Sequence, residues 1–293
     1  MKTVYVTHCS ESFVAGIEPC VMALGFFDGV HLGHRQLIHH AKQLAQKRNL
    51  KLALLTFYPH PKEVISQEKV TFNYLTPLAV KEEIFAQLGV EILYVIRFDW
   101  QFARVSPKDF IHWYIIGLRA EHVVAGFDFT YGYLGKGNMK TIEADGMGMF
   151  RVSTIPKVNL AGRKISSTII RESLLAGDVG DIPQYLGDFY ETRGEAVLLN
   201  TRERRKGGIQ AEVTPHQHYT LPADGAYEVE VRIDRHICRG TAYVSKRNDG
   251  AAKLEMKLFY PYKKAFNKTL AIKWLNKADC VEKSKERVNE SVH

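Results

Sequence analysis

The chain has 293 residues, 45% of them hydrophobic and 25% charged, the balance of a globular protein long enough for two domains. No stretch approaches the ~18 consecutive apolar residues of a membrane-spanning helix, and residues 1–8 lack the cationic-then-apolar layout of a secretory signal. A net charge of +8 and a pI near 9.2 suit anionic partners, either small phosphorylated molecules or nucleic acid.

Apolar, β-rich runs at residues 21–27, 52–57, 92–96 and 122–125 alternate with helical patterns at 36–47, 77–88 and 107–118. Continuous apolar strands separated by helices predict a parallel sheet covered on both faces. Such sheets bind ligands beyond the carboxyl ends of their strands. The first of these ends runs into Gly25-Phe26-Phe27-Asp28-Gly29-Val30-His31-Leu32-Gly33-His34, and the second into Tyr58-Pro59-His60-Pro61. Both loops are expected at one crevice. Strand, tight loop and helix is an arrangement that seats a polyphosphate on a helix N-terminus. His31 and His34 share one helix face, where imidazoles can donate to phosphate oxygens. Gly33 leaves room for a nucleotide near the backbone.

Further along, Arg163-Lys164-Ile165-Ser166-Ser167-Thr168-Ile169-Ile170-Arg171 opens another helix. Hydroxyls at a helix start cap amides or reach a phosphate, and the guanidinium groups of Arg163 and Arg171 suit bidentate grip of a polyphosphate. From about Gly187 the pattern changes to strict alternation, as in residues 227–233 and 253–259. That predicts antiparallel strands with one wet face, a small barrel or sandwich. The boundary divides the chain into residues 1–186 and 187–293. The cysteines Cys9, Cys20, Cys238 and Cys280 form no CxxC pair and read as reduced thiols in a cytoplasmic protein. The basic run from Arg202 to Lys206 motivates a nucleic-acid reading, yet no aromatic platform or RNA-binding motif accompanies it, so nucleic acid is not the expected partner. The charged residues 282–293 are expected to be frayed or helical.

The string from Gly25 to His34 resembles the HxGH signature of nucleotidyltransferases, in the version found in prokaryotic FAD synthetases, the bifunctional riboflavin kinase/FMN adenylyltransferases. Residues 163–171 resemble the ISSTxIR element of the same superfamily. Residues 56–61 resemble the family's TFxPHP loop and residues 125–132 its GFDFxxG loop. The resemblance covers residues 1–184 nearly continuously. It implies a Rossmann-like nucleotidyltransferase domain that makes FAD from FMN and ATP with Mg²⁺. It assigns catalysis to His31, His34 and Arg171. ATP falls to Gly25, Phe26, Asp28, Gly33, Arg163, Ser166 and Ser167, and FMN to Phe57, Pro59, His60, Phe127 and Asp128.

Residues 187–293 resemble the family's riboflavin kinase barrel less closely. Where that module carries PTAN, this chain has Ile209, Gln210, Ala211 and Glu212, so a threonine hydroxyl and an asparagine amide are missing. Glu255 stands at the position of the kinase base, a vestige without its nucleotide loop. The expected activity is FMN adenylyl transfer. The alternatives are a fully bifunctional enzyme and a regulatory protein that binds flavin or RNA.

Overall fold

The structure is a computed structural model that describes residues 1–7, 16–66, 71–160, 162–198, 209–216, 218–246, 252–258 and 269–278. The basic run 202–206, the tail 282–293, Cys9 and Cys280 lie outside the described residues. The chain divides into two compact units. One comprises Met1–Arg171, Gln184–Gly187 and Gln217–Thr220; the other comprises Glu172–Pro183, Asp188–His216 and Leu221–His293.

In the first unit, β1 (Lys2–Val6), β2 (Cys20–Leu24), β3 (Lys51–Tyr58), β4 (Ile92–Arg97), β5 (Ala120–Gly126) and β8 (Arg151–Ile155) build an all-parallel sheet in the order β1-β4-β3-β2-β5-β8. Every residue of β2, the strand that feeds the histidine loop, is buried. That explains why it reads as an unbroken apolar run rather than an alternating one. Two short antiparallel ribbons, β6 (Thr130–Tyr131) with β7 (Gly137–Asn138) and β9 (Asn159–Leu160) with β10 (Arg163–Lys164), decorate the loops.

The sheet is covered by α1 (Leu32–Arg48) and α3 (Leu78–Leu88) on one apolar cluster, and by the segment through α4 (Pro107–Phe110) on another. Helix α1 buries Leu37, Ile38, Ala41 and Ala45 at helical spacing and stops at Asn49, which takes φ 53°. The helical pattern expected at 107–118 forms, but residues Ile111–Ile116 continue as a π-helix. The smaller helices are α2 (Pro61–Ile65), α5 (Ile142–Asp145), α6 (Ser167–Ala176) and α7 (Pro183–Leu186). No helix among the described residues is long and apolar enough to cross a membrane.

In the second unit, β11 (Tyr190–Leu198), β12 (Ile209–Pro215), β13 (Gly225–Ile233), β14 (His236–Lys246), β15 (Ala252–Leu258) and β16 (Thr269–Lys277) close into an antiparallel barrel in the order β11-β12-β15-β14-β13-β16. Alternation is literal here: Tyr227, Val229, Val231 and Ile233 are buried, and the residues between them are less so. Trp274 fills the interior edge-on to Tyr227 at 5.5 Å, with its indole N–H donated to Thr192 Oγ1 at 3.1 Å. The fold class is therefore as the sequence patterns predict: a parallel α/β unit followed by a small antiparallel barrel.

Candidate active site

Strand β2 ends at Leu24, and the turn that follows is strained. Phe27 and Val30, neither of them glycine, adopt φ 55° and 41°. Non-glycine residues in the left-handed region persist where the surroundings over-determine them. Here the Phe26 carbonyl is held twice, by Thr56 Oγ1 of β3 at 3.1 Å and by Lys81 Nζ of α3 at 3.0 Å. The Phe27 ring is locked below, edge-on to Phe85 and to His34.

His31 is the N-cap of α1, and its Nδ1 accepts the His34 amide at 3.3 Å. A neutral ring that accepts at Nδ1 carries its proton on Nε2. His31 and His34 stack at 3.6 Å, inclined by 14°. Burial, with Lys164 nearby, pushes the His31 pKa down to about 4. Burial and the neighbouring charges of His31, Lys81 and Lys164 hold His34 well below the usual histidine range. Both rings are neutral hydrogen-bonding groups at pH 7. The His34 Nδ1 is enclosed and has no hydrogen-bond partner among the described residues. Gly33 is explained by the pair itself, since a Cβ there would lie 3.2 Å from the His31 ring. Gly25 is similar: a Cβ would press on the Phe27 ring at 3.0 Å.

Asp28 is 3% exposed, and its carboxylate is fully engaged. It accepts the Leu75 amide at 3.0 and 3.2 Å and the Thr76 amide at 3.0 Å. Arg171 Nη2 approaches to 2.5 Å. The other terminal nitrogen of Arg171 donates to the Asn73 carbonyl at 2.7 Å and to Thr220 Oγ1 at 2.8 Å, and the guanidinium lies 4.6 Å above the Phe72 ring. Ser167 Oγ donates to the Asp28 carbonyl at 2.7 Å, while Ser166 Oγ caps α6 by accepting the Ile169 amide at 3.4 Å. The Gly25–His34 loop and the start of α6, some 140 residues apart in sequence, are thus one bonded assembly.

His60 caps α2 and stacks face to face on Phe72 at 3.6 Å, with Phe26 edge-on at 4.5 Å. Its backbone amide donates to Tyr74 Oη at 3.0 Å, and Tyr74 in turn donates to Glu63. Burial, reinforced by Lys62, Arg171 and Lys81, lowers the His60 pKa to about 4. Pro59 follows a cis peptide bond.

Beyond β3 and β4 lies a cavity of about 450 Å³ whose walls include Phe57, Phe98, Trp100, Phe102 and Tyr131. Of the expected flavin residues, Phe57 lines this cavity, whereas Pro59, His60, Phe127 and Asp128 do not. Phe127 is 45% exposed under the Lys164 ammonium, which also pairs with Asp128 at 2.5 Å. Arg163, next to that lysine in β10, is exposed.

The family model for FAD synthetase matches residues 15–169. The chain belongs to the FAD synthetase family. Over 278 residues it is 38% identical to a bifunctional riboflavin kinase/FMN adenylyltransferase of Listeria monocytogenes, covering 94% of this chain and 88% of that protein. The counterpart of the same name from Bacillus subtilis is 38% identical over 280 residues, 94% of this chain and 89% of its own. A Listeria monocytogenes protein named FAD synthetase is 29% identical and is covered over 97% of its length, 86% of this chain. Among solved structures, that of a macrolide-efflux protein from Streptococcus pneumoniae superposes with a TM-score of 0.83 at 31% identity, over 94% of this chain and 90% of that one.

Several groups that the motifs do not mark complete this FAD synthetase family site: Lys81, Phe72, Tyr74 and Thr220. Lys81 had a readable signal. It stands between Leu78 and Phe85 on the buried stripe of α3, where an apolar residue is expected. Thr220 had none, because it meets Arg171 across 49 residues of chain. Among the described residues no group of three or more His, Cys, Asp or Glu side chains could hold a metal. The carboxylates of Asp28 and Asp128 are already bound to cations or amides.

Proposed function

We propose that the first unit is an FMN adenylyltransferase that transfers AMP from ATP to FMN, giving FAD and pyrophosphate. The reading rests above all on the neutral, stacked His31/His34 pair at the start of a long helix. A helix N-terminus attracts phosphate, and the His31 Nε2–H is a fixed donor that costs no reorganisation when charge develops. The FMN phosphate oxygen attacks the α-phosphorus of ATP. The bond to the β-phosphate oxygen breaks and pyrophosphate departs. His31 and His34 donate to the phosphate oxygens on which charge grows, and nothing in this step needs a covalent enzyme intermediate.

In this reading Asp28, Ser167 and Arg171 act by building the floor of the site, since their polar atoms are bonded to one another and to Asn73, Leu75 and Thr76, and Ser166 caps the helix that carries Arg171. Gly25, Phe26 and Gly33 shape the ATP loop. The aromatic cavity beside Phe57 takes the isoalloxazine ring, a planar apolar group that stacks well on such walls. Pro59, His60, Phe127 and Asp128 are rim residues, with Arg163 and Lys164 adding positive charge for phosphate. Magnesium is carried in by the ATP phosphates rather than held in a cage of protein ligands. The protein works in the cytoplasm on small-molecule substrates.

The barrel is proposed to be riboflavin kinase-like in fold and without useful kinase activity, because the Thr and Asn of the family pattern are replaced by Gln210 and Glu212. A second reading, a fully bifunctional enzyme, is favoured by the names of the 38% identical relatives. Chromatographic product analysis separates the two. FMN with MgATP should yield FAD and pyrophosphate, and riboflavin with MgATP should yield no FMN. Absence of FAD under both aerobic and reducing conditions rejects the adenylyltransferase proposal; FMN from riboflavin rejects the inactive barrel and establishes the bifunctional reading.

A further inference from the structure

Lys81 is fully buried, with no exposed surface at all. Taking an ammonium out of water costs several kcal/mol unless partners compensate. An ammonium has three donors, and the hydrogen bond found for Lys81 among the described residues is the one to the Phe26 carbonyl at 3.0 Å. The Phe26 ring lies 4.5 Å from the same nitrogen. None of these partners depends on Lys81 to be satisfied. The Phe26 carbonyl also accepts from Thr56, and Asp28 keeps Arg171 and the amides of Leu75 and Thr76. A methionine would fill the same stripe on α3 and leave no orphan behind. The charge is therefore expensive and structurally dispensable, which points to a role in the chemistry of the loop above it.

Resting on the adenylyltransferase reading, we propose that Lys81 is a positioning residue for the ATP end of the site. It pins the Phe26 carbonyl, holds the strained Phe26–Phe27 turn that carries Asp28 and His31, and supplies the buried positive charge toward which the triphosphate is drawn. The Phe26–Phe27 peptide is trans. Drawing its carbonyl toward α3 therefore turns the Phe27 N–H to the opposite side. The charge acts at short range in a medium that screens it little.

Burial lowers the Lys81 pKa to about 8, with Asp28 opposing that shift. The ionisable groups it interacts with are Asp28 on the loop, His34 on α1 and His60 before α2; Arg171 on α6 is paired with that Asp28, and Lys164 on β10 acts on His34. The histidines among them have shed their protons well below pH 7. A loss of ATP affinity as pH rises from 7 to 9 would therefore belong to Lys81.

The test compares wild type with K81M by thermal unfolding, by calorimetric titration of MgATP without flavin at pH 7 and 9, and by steady-state FAD formation. In K81M the unfolding midpoint should stay at or above that of wild type. ATP binding should weaken roughly tenfold or more, and kcat/KM for ATP should fall further, while FMN affinity moves less than about threefold. Wild type should lose ATP affinity between pH 7 and 9, and K81M should not. Unchanged ATP binding, or parallel losses of ATP affinity, FMN affinity and stability, would overturn the proposal. Should K81M not fold, a flat wild-type ATP affinity across that pH range overturns it just as well. If wild type binds ATP but makes no FAD, the adenylyltransferase reading falls and the titrations still decide the role of Lys81. If wild type binds no ATP, both fall.

Discussion

The loop around His31 and the strand face around Glu255 hold ionisable groups in opposite ways. In the loop Asp28 and His31 are nearly buried, Lys81 of α3 beneath them is wholly so, and Asp28 is bonded from several elements at once. On β15, Glu255 keeps 36% of its side chain exposed and is paired with Lys253 at 2.9 Å, on the same strand. Its cross-strand neighbours in register are Glu212 and Tyr243. A half-exposed pair on one strand contributes little to stability and fixes little geometry. Buried groups cost free energy to install, and in the proposed adenylyltransferase that cost secures the rigid donors and displaced pKa values that phosphate chemistry uses. Polar groups are locked in place from several elements at the loop and are held by a single same-strand ion pair at Glu255.

The largest effect that would sharpen this contrast is loss of the histidines. His31→Ala and His34→Ala should each lower kcat for FAD formation by roughly two to three orders of magnitude, the usual cost of one preorganised donor. FMN affinity should change little, because the interaction strengthens only as pyrophosphate leaves. Steady-state kinetics beside flavin fluorescence titration would show this. A tenfold or smaller loss in both variants would assign the pair a structural role.

How the pair is held was partly legible in the sequence. The strand–loop–helix pattern placed His31 and His34 at a helix start, and the residues from Arg163 to Arg171 pointed to a second helix start. Their physical connection was not legible, since it runs through Asp28, whose partners Leu75, Thr76 and Arg171 are 47, 48 and 143 residues away. The edge strands β1 and β8 were not read either. Four of the five residues in each are partly buried or exposed, so neither gives the continuous apolar signal of β2. The barrel was readable because its alternation survives in nearly every described strand.

A pH experiment probes the same burial without asking about catalysis. The His31 pKa in the folded protein is about 4, below the ordinary 6.5. Stability from keeping that ring neutral is complete above pH 6.5 and is lost as pH falls toward 4. The full loss is about 3 kcal/mol as an upper bound. Urea unfolding at pH 7 and 4.5 should show a drop that is roughly 1–3 kcal/mol smaller in His31→Asn, which keeps an N-cap and removes the titration. Equal drops in the two proteins would mean that His31 is not held neutral by the fold.

Arg171→Lys should cost less. Lysine keeps the charge but not the planar fork that spans Asp28, Asn73 and Thr220. Asp28 stays neutralised in part, so we expect a fall of about tenfold in kcat/KM for ATP and a destabilisation on the order of 1–2 kcal/mol. Kinetics indistinguishable from wild type would detach the α6 anchor from the ATP loop.

The smallest effect is expected at Glu255. A kinase base is useful only when an ATP phosphate is aligned beside its substrate hydroxyl. Here the residues at the family's nucleotide-gripping positions, Ile209 to Glu212, are strand residues of β12, paired across to β15. Glu212 lies directly opposite Glu255 in that ladder, so two carboxylates stand at neighbouring positions on this strand pair. Like charges so placed repel a nucleotide unless a cation intervenes. Glu255→Gln should therefore leave FAD formation from FMN within about twofold of wild type, and riboflavin should remain unphosphorylated in both proteins. Turnover of riboflavin at about one per second or faster, abolished by Glu255→Gln, would show that the barrel face is a working site and that its exposed ion pair rearranges when ATP binds.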